Sequence, residues 1–219
     1  MTGISELLNT DKTVAAELFY GKEYPWEVLA DIESFILELG PRLSEDKYER
    51  TAENVWIARN AKVFPSAYIG GPCIIDEEAE VRHCAFIRGC AIVGKKAVVG
   101  NSTELKNVLL FDEVQVPHYN YVGDSVLGYK AHMGAGSITS NIKGDKSLII
   151  VHDAAGEIQT GRRKFGAIIG DGADVGCNSV LNPGTVLGRG CTVYPNSCVR
   201  GVIPEGHIYK DGNHIVPRR

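Results

Sequence analysis

From Ile57 onward the chain places an apolar side chain at every sixth position: Ile57, Val63, Ile69, Ile75, Val81, Ile87, Val93, Val99, Leu105 and then Phe111. Four residues after most of these stands a small residue, as at Ala61, Ala67, Cys73, Ala79, Ala85, Ala91, Ala97 and Thr103. The same pairing returns at Ile169, Val175, Leu181, Leu187, Val193 and Val199, with Ala173, Ser179, Thr185, Cys191 and Ser197 in the small slots. A helix repeats its apolar face about every 3.6 residues and a flat strand every two, so neither gives a period of six. A chain that turns a corner every six residues does. The aliphatic residue then fills the inside of a triangular coil, the small one lets the corner close, and stacked coils pair as neighbouring strands about 4.8 Å apart. The pattern predicts a mainly β fold, a left-handed parallel β-helix of hexapeptide repeats from about Ile57 to about Val199. A β-sandwich would not hold a strict period over ten positions.

The first fifty residues follow a different rule. Val28, Leu29, Ile32, Phe35, Ile36 and Leu39 recur at helical spacing behind Pro25, which suits a first helical turn, and Gly40-Pro41 ends the run. A weaker helix is expected around Val14, Leu18 and Phe19, and the charged stretch from Leu43 to Glu49 reads as a connector. The expected organisation is a helical segment over 1–52, the β-helix over 53–205 with an inserted loop over 140–166, and a tail over 206–219. Two interruptions of the repeat stand out. The phase slips between Phe111 and Met133, through Pro117, His118 and Tyr119, and the repeat vanishes between Thr139 and Ile168. Regular coils make a rigid scaffold, so departures from them are where a site is expected.

The 25 glycines among 219 residues exceed the usual share of about 7%. Gly70, Gly94, Gly100, Gly128, Gly134, Gly170, Gly176 and Gly188 each follow an interior aliphatic residue, so the repeat accounts for much of the excess. A net charge of −4 argues against nucleic acid or an anionic membrane as the main partner. No apolar run approaches the roughly 18 residues of a membrane span, and the first residues lack the features of a signal peptide. The cytosol is the expected compartment. The six cysteines form no CxxC pair, so neither a zinc ribbon nor a redox motif is indicated.

Three runs carry the candidate chemistry: Pro117-His118-Tyr119-Asn120-Tyr121-Val122-Gly123-Asp124, then Met133 to Asn141, then Gly161-Arg162-Arg163-Lys164-Phe165-Gly166 through Asp171. In this order they resemble the C-terminal acetyltransferase domain of bifunctional sugar-1-phosphate nucleotidyltransferases, most nearly the archaeal type, from about residue 60 to about residue 205. The resemblance implies transfer of an acetyl group from acetyl-CoA to the amine of glucosamine-1-phosphate or galactosamine-1-phosphate, without a metal, in a homotrimer. It implies that His118 is the general base, a role suited to an imidazole because its ordinary pKa lies near 6.5. Arg88, Lys106 and Lys164 align with residues that hold the sugar phosphate. Arg88 and Lys106 are three hexapeptides apart, which places them at equivalent positions on adjacent coils. Tyr121 and Asn141 align with residues that bind the sugar and orient its amine. His132 stands where the common bacterial enzymes have an asparagine, and Ile142 where they have a tyrosine. Ala135, Cys177 and Pro195 fall where such enzymes meet acetyl-CoA. Cys177 also suggests a covalent acyl-enzyme, but its slot beside Gly176 suits a small residue of the repeat, and the family transfers directly from CoA.

Two other readings share the scaffold. A γ-type carbonic anhydrase needs three histidines on one metal, two of them five residues apart. The histidines fall at 83, 118, 132, 152, 207 and 214, and no pair has that spacing. A non-catalytic scaffold or regulatory partner of a nucleotidyltransferase is the second. Nucleotidyl transfer itself is not expected here, since Gly70-Gly71-Pro72 lies inside the repeat rather than after an opening strand.

Overall fold

The computed structural model describes residues 2–154, 156–212 and 214–218, and its core is the expected parallel β-helix. Each coil contributes a short strand to three faces. The first face stacks Lys62–Val63, Glu80–Val81, Val98–Asn101, Gln115–His118, His132–Met133, Asp174–Val175, Thr192–Val193 and His207–Asp211, all parallel. The second face runs from Tyr68–Ile69 and Phe86–Ile87 up through Ile138–Thr139 and Val180–Leu181 to Cys198–Val199. The third includes Val55–Ala58, Cys73–Ile75, Ala91–Val93, Ala167–Ile169, Thr185–Leu187 and Val202–Ile203. Interior positions from Ile75 to Leu105 and from Ile169 to Val199 are buried, as the period requires. Ile57 and Ile69 are only half-buried and Val63 is exposed, because no further coil lies beneath the first turn.

The phase of the repeat changes earlier than the spacing suggests. Ile87 pairs with Leu105, a coil of eighteen residues, but Val93 pairs with Leu110, a coil of seventeen. Leu110, and not Phe111, therefore takes the interior slot, and Phe111 is buried instead against Phe19, with ring centroids 5.8 Å apart. One residue is missing between Leu105 and Leu110, and another between Val122 and Leu127, whose partners are again one short of eighteen. Both omissions fall at the corner between the second and third faces. There the chain makes single strands, Glu104–Leu110 and Tyr121–Leu127, that bend from one face onto the next through Asn107 (φ 54°) and Asp124 (φ 45°) in the left-handed region. The third departure, the insertion, leaves from the same corner one coil higher. It contains an antiparallel hairpin, Ile150–Asp153 with Gly156–Gln159, where a loop was expected.

The N-terminal segment is less helical than its spacing implies. The expected long helix is a 3-10 stretch, Pro25–Ala30, followed by an α-helix, Ile32–Leu39; the weaker one is only the 3-10 turn Ala16–Phe19. The break falls at Asp31 (φ −110°, ψ −3°); Trp26, which a single straight helix carrying Val28, Ile32 and Ile36 inward would turn to another side, is thereby buried with them. The segment is a strap: the amides of Asp112 and Asp171 donate to the Lys12 and Leu7 carbonyls, and Trp26 lies 5.6 Å from Phe165. Beyond it, Tyr48–Ala52 forms a strand antiparallel to Val55–Ala58, so the last two residues of the expected connector and position 52 belong to a hairpin. At the other end the coil continues past 205: His207–Asp211 is a parallel strand of the first face, and His214–Pro217 folds back on it.

The stacked glycines work mainly by close approach. A Cβ at Gly100 would overlap the Pro117 carbonyl of the next coil, whereas Gly172, with φ +65°, faces open space. Gly100→Ala should therefore cost about 3 kcal/mol or more and lower Tm by roughly 6–12 °C. Gly172→Ala should cost about 1–2 kcal/mol, the scale of a left-handed alanine. Equal, small shifts in thermal unfolding would contradict this close-contact role.

Candidate active site

His118 ends its strand on the first face, and the next residue, Tyr119, turns the corner with φ 52°. The His118 side chain is exposed, but its backbone is pinned by a buried amide. Asn120 Oδ1 accepts from the His118 N–H at 3.1 Å, while Asn120 Nδ2 donates to the Gly134 carbonyl at 2.8 Å and to Ser137 at 3.1 Å. A buried asparagine must satisfy its amide, and here it does so by tying two coils together at this corner.

Ala135, Cys177 and Pro195 stand above His118 in one column. The amide of the residue after each donates to the carbonyl of the residue below: Gly136 to His118 at 3.0 Å, Asn178 to Ala135 at 2.8 Å and Asn196 to Cys177 at 2.9 Å. Ala135 is half-buried, and Cys177 and Pro195 are exposed, so the column is an open ridge between the first and second faces. At about 4.8 Å per coil, it rises roughly 14 Å from His118 to Pro195.

The opposite edge of the second face carries the charged cluster. Arg88 lies directly below Lys106 and forms an ion pair with Glu104 at 2.9 Å. That pairing raises the Arg88 pKa and keeps its charge. Lys106 Nζ contacts both carboxylate oxygens of Asp124 at 3.0 Å, and Asn107 Nδ2 and Asn141 Nδ2 reach the same carboxylate at 2.9 and 2.5 Å. Tyr121 is half-buried here, and burial first, then Asp124 and Glu104, pushes its phenol up, so it stays neutral and can donate. Lys164 is exposed on the returning limb of the insertion, bridged to Ile142, while the Phe165 amide donates to the Asn141 carbonyl at 3.0 Å.

Arg88, Lys106, Tyr121, Asn141 and Lys164 thus converge on one edge, and His118, Ala135, Cys177 and Pro195 on the other. Three residues of strand separate the edges, roughly 10 Å at about 3.3 Å per residue. His132 joins neither group: it lies on the first face, with Nδ1 2.7 Å from Asp174. A strand's alternation turns it outward there, three positions before Ala135. Sequence reasoning missed Asp124, Glu104 and Arg162. Nothing in the spacing of Asp124 marks it, since the corner that it shares with Lys106, Asn107 and Asn141 is polar throughout. Among the described residues of the single chain no three His, Cys, Asp or Glu side chains converge as a metal site.

The profile of a family described as GMPPB C-terminal domain matches residues 69–156. The chain is 32% identical over 200 residues to the bifunctional protein GlmU of Methanococcus maripaludis, which covers 90% of this chain and 48% of that protein. It is 33% identical over 109 residues to a bifunctional sugar-1-phosphate nucleotidylyltransferase/acetyltransferase of Sulfurisphaera tokodaii, covering 50% of this chain and 27% of the other. Among solved structures it is similar to a hexapeptide transferase family protein from Anaplasma phagocytophilum, with 15% identity, a TM-score of 0.42, and 75% and 80% of the two chains covered. The chain spans about half the length of the curated relatives it matches. On its repeat, its three sequence runs and this similarity, it is a hexapeptide-repeat relative of the bifunctional sugar-1-phosphate nucleotidylyltransferase/acetyltransferase proteins.

Proposed function

We propose that this chain is an acetyl-CoA-dependent N-acetyltransferase acting on an amino-sugar 1-phosphate, either the glucosamine or the galactosamine epimer, in nucleotide-sugar biosynthesis in the cytoplasm. The observation that carries the reading is the pair of edges flanking the second face. One is a ridge that begins at an exposed imidazole; the other is a cluster of cations and hydrogen-bonding groups roughly 10 Å away. A phosphosugar with a contact at each end fits that span. Its phosphate would meet Arg88 and Lys106, with Lys164 closing over it, while Tyr121 and Asn141 hold the ring. The extended thiol-bearing arm of CoA would lie along Ala135, Cys177 and Pro195 with its thioester beside His118.

The chemistry then follows from proton inventory. Only a neutral amine can attack the thioester carbonyl. As the C–N bond forms, His118 takes the amine proton, the carbonyl becomes an oxyanion, and its collapse expels the CoA thiolate, which takes up the proton held by His118. A thiol-release assay with acetyl-CoA against a panel of amino-sugar 1-phosphates tests the reading. Acceptor-stimulated release supports it. No release with any acceptor, from folded protein, would favour a non-catalytic partner of a nucleotidyltransferase.

Three outcomes are expected of the parent protein and its variants. His118→Ala should lower turnover by about a hundred- to ten-thousand-fold, the range of general-base catalysis, with acetyl-CoA binding and melting little changed. Near-normal turnover in that variant would remove the mechanism. Lys106→Ala should cost about 1.5–3 kcal/mol in kcat/KM for glucosamine-1-phosphate, as loss of a charge-assisted contact does, and free glucosamine should be a poor acceptor for the parent. Equal rates with and without the phosphate would sink the phosphate assignment. Finally, sedimentation at micromolar concentration should give a homotrimer, because the open ridge needs a second wall; a monomer with full activity would refute that.

A further inference from the structure

Asp124 stands at the centre of the cation edge with a side chain only 3% exposed. Its carboxylate is held entirely by side chains: Lys106 on both oxygens, Asn107 on one and Asn141 on the other. Two of those three residues are the ones assigned to the acceptor. The third, Asn107, also donates to the Leu29 carbonyl at 3.1 Å, which ties the cluster to the N-terminal strap. Arg162, on the insertion, donates from Nε to the Lys164 carbonyl at 3.3 Å; burial lowers its pKa, and attraction to Asp124 and Asp31 partly opposes that. Four separate parts of the chain, the strap, two shortened corners and the insertion, therefore meet around one carboxylate.

We propose that Asp124 is the positioning residue of the acceptor site, an inference that rests on the acetyltransferase reading. An ionised carboxylate only accepts hydrogen bonds, so the group that Asn141 presents to it must be the NH2. The amide oxygen of Asn141 is then turned away from the carboxylate, where it can accept from the amine or a hydroxyl of the sugar. Lys106 carries three N–H donors, and its two contacts to Asp124 fix the ammonium while leaving donor capacity for a phosphate oxygen. Asp124 also offsets part of the positive charge that Arg88, Lys106, Arg162 and Lys164 bring together. Without it, the lysine stem would be free to rotate and the Asn141 amide would keep only its contact with Tyr121.

The test uses the full chain and combines turnover with chemical labelling. Asp124→Asn should lower kcat/KM for glucosamine-1-phosphate about a hundred-fold, the scale of a misplaced binding group. KM for acetyl-CoA should stay within about twofold, because the ridge at His118 is untouched. In the Lys106→Ala background the same change should cost about tenfold or less, since one of the two groups that it positions is gone. Acetic anhydride labelling of Lys106, read by mass spectrometry against Lys130 without substrates, should rise several-fold in Asp124→Asn. If Asp124→Asn does not fold, Asp124→Glu carries the same comparisons, with the charge kept and its place moved. In the parent protein alone, Lys106 should label more slowly than Lys130. A folded Asp124 variant with near-parental kcat/KM, costs that multiply fully with Lys106→Ala, or equal labelling of Lys106 and Lys130 in the parent would each overturn the proposal. Released labelling with no parental turnover on any amino-sugar phosphate would instead remove the acetyltransferase reading, and the acceptor role with it, while the clamp on Lys106 stood.

Discussion

Every coil of this protein must match the coil beneath it, because the N–H and C=O groups of its short strands have nowhere else to pair. Parallel ladders such as Val98–Asn101 on Gln115–His118, and Ile138–Thr139 on Val180–Leu181, satisfy the backbone of the whole stack. That requirement makes columns. A residue at one position of a coil sits directly above its equivalent, so chemistry can be spread over residues far apart in sequence yet adjacent in space. His118, Ala135, Cys177 and Pro195 are such a column, and so are Arg88 and Lys106.

The same requirement limits where the chain can depart from regularity. An insertion or omission inside a strand would break the ladder above and below it, so changes collect at corners. Here they collect at one corner: two seventeen-residue coils, then the insertion of residues 140–166. Shortening bends Glu104–Leu110 and Tyr121–Leu127 tightly and turns Asn107 and Asp124 toward each other. The buried carboxylate that results would be costly without partners, and Lys106, Asn107 and Asn141 provide them. Irregularity, ion pairing and the assigned acceptor contacts are thus one structural fact.

Much of this was legible in the chain. A period of six with small residues four positions later identifies the coil, and burial of Ile75, Val81, Ile87, Val93 and Val99 follows directly. The stacking of Arg88 and Lys106 could be counted off. Other features were hidden for identifiable reasons. Phe111 continues the count of six by coincidence, so the omitted residue before Leu110 was invisible until strands were paired. The strap has helical spacing but takes its shape from the flat face that it covers. His132 was assigned by alignment with a sugar contact, whereas alternation along Val98–Asn101, Gln115–His118 and His132–Met133 sends it to another face. Asp124 carries no signal of its own in a linear reading, because its importance lies in partners on two other turns of the chain, Lys106 with Asn107 on one and Asn141 on the other.

The central claim is that two edges of one face, an imidazole-bearing ridge and a cation cluster organised by a buried carboxylate, form a single reaction site. A crystal structure of the protein with CoA and glucosamine-1-phosphate bound tests it most directly. The thiol-bearing arm should run along Ala135, Cys177 and Pro195, with the sugar amine within about 3 Å of the His118 imidazole. The phosphate should lie on Arg88 and Lys106, with the Lys106–Asp124 contact intact. Ligands seated on different faces, or a phosphate that ignores Lys106 while the amine lies far from His118, would contradict it.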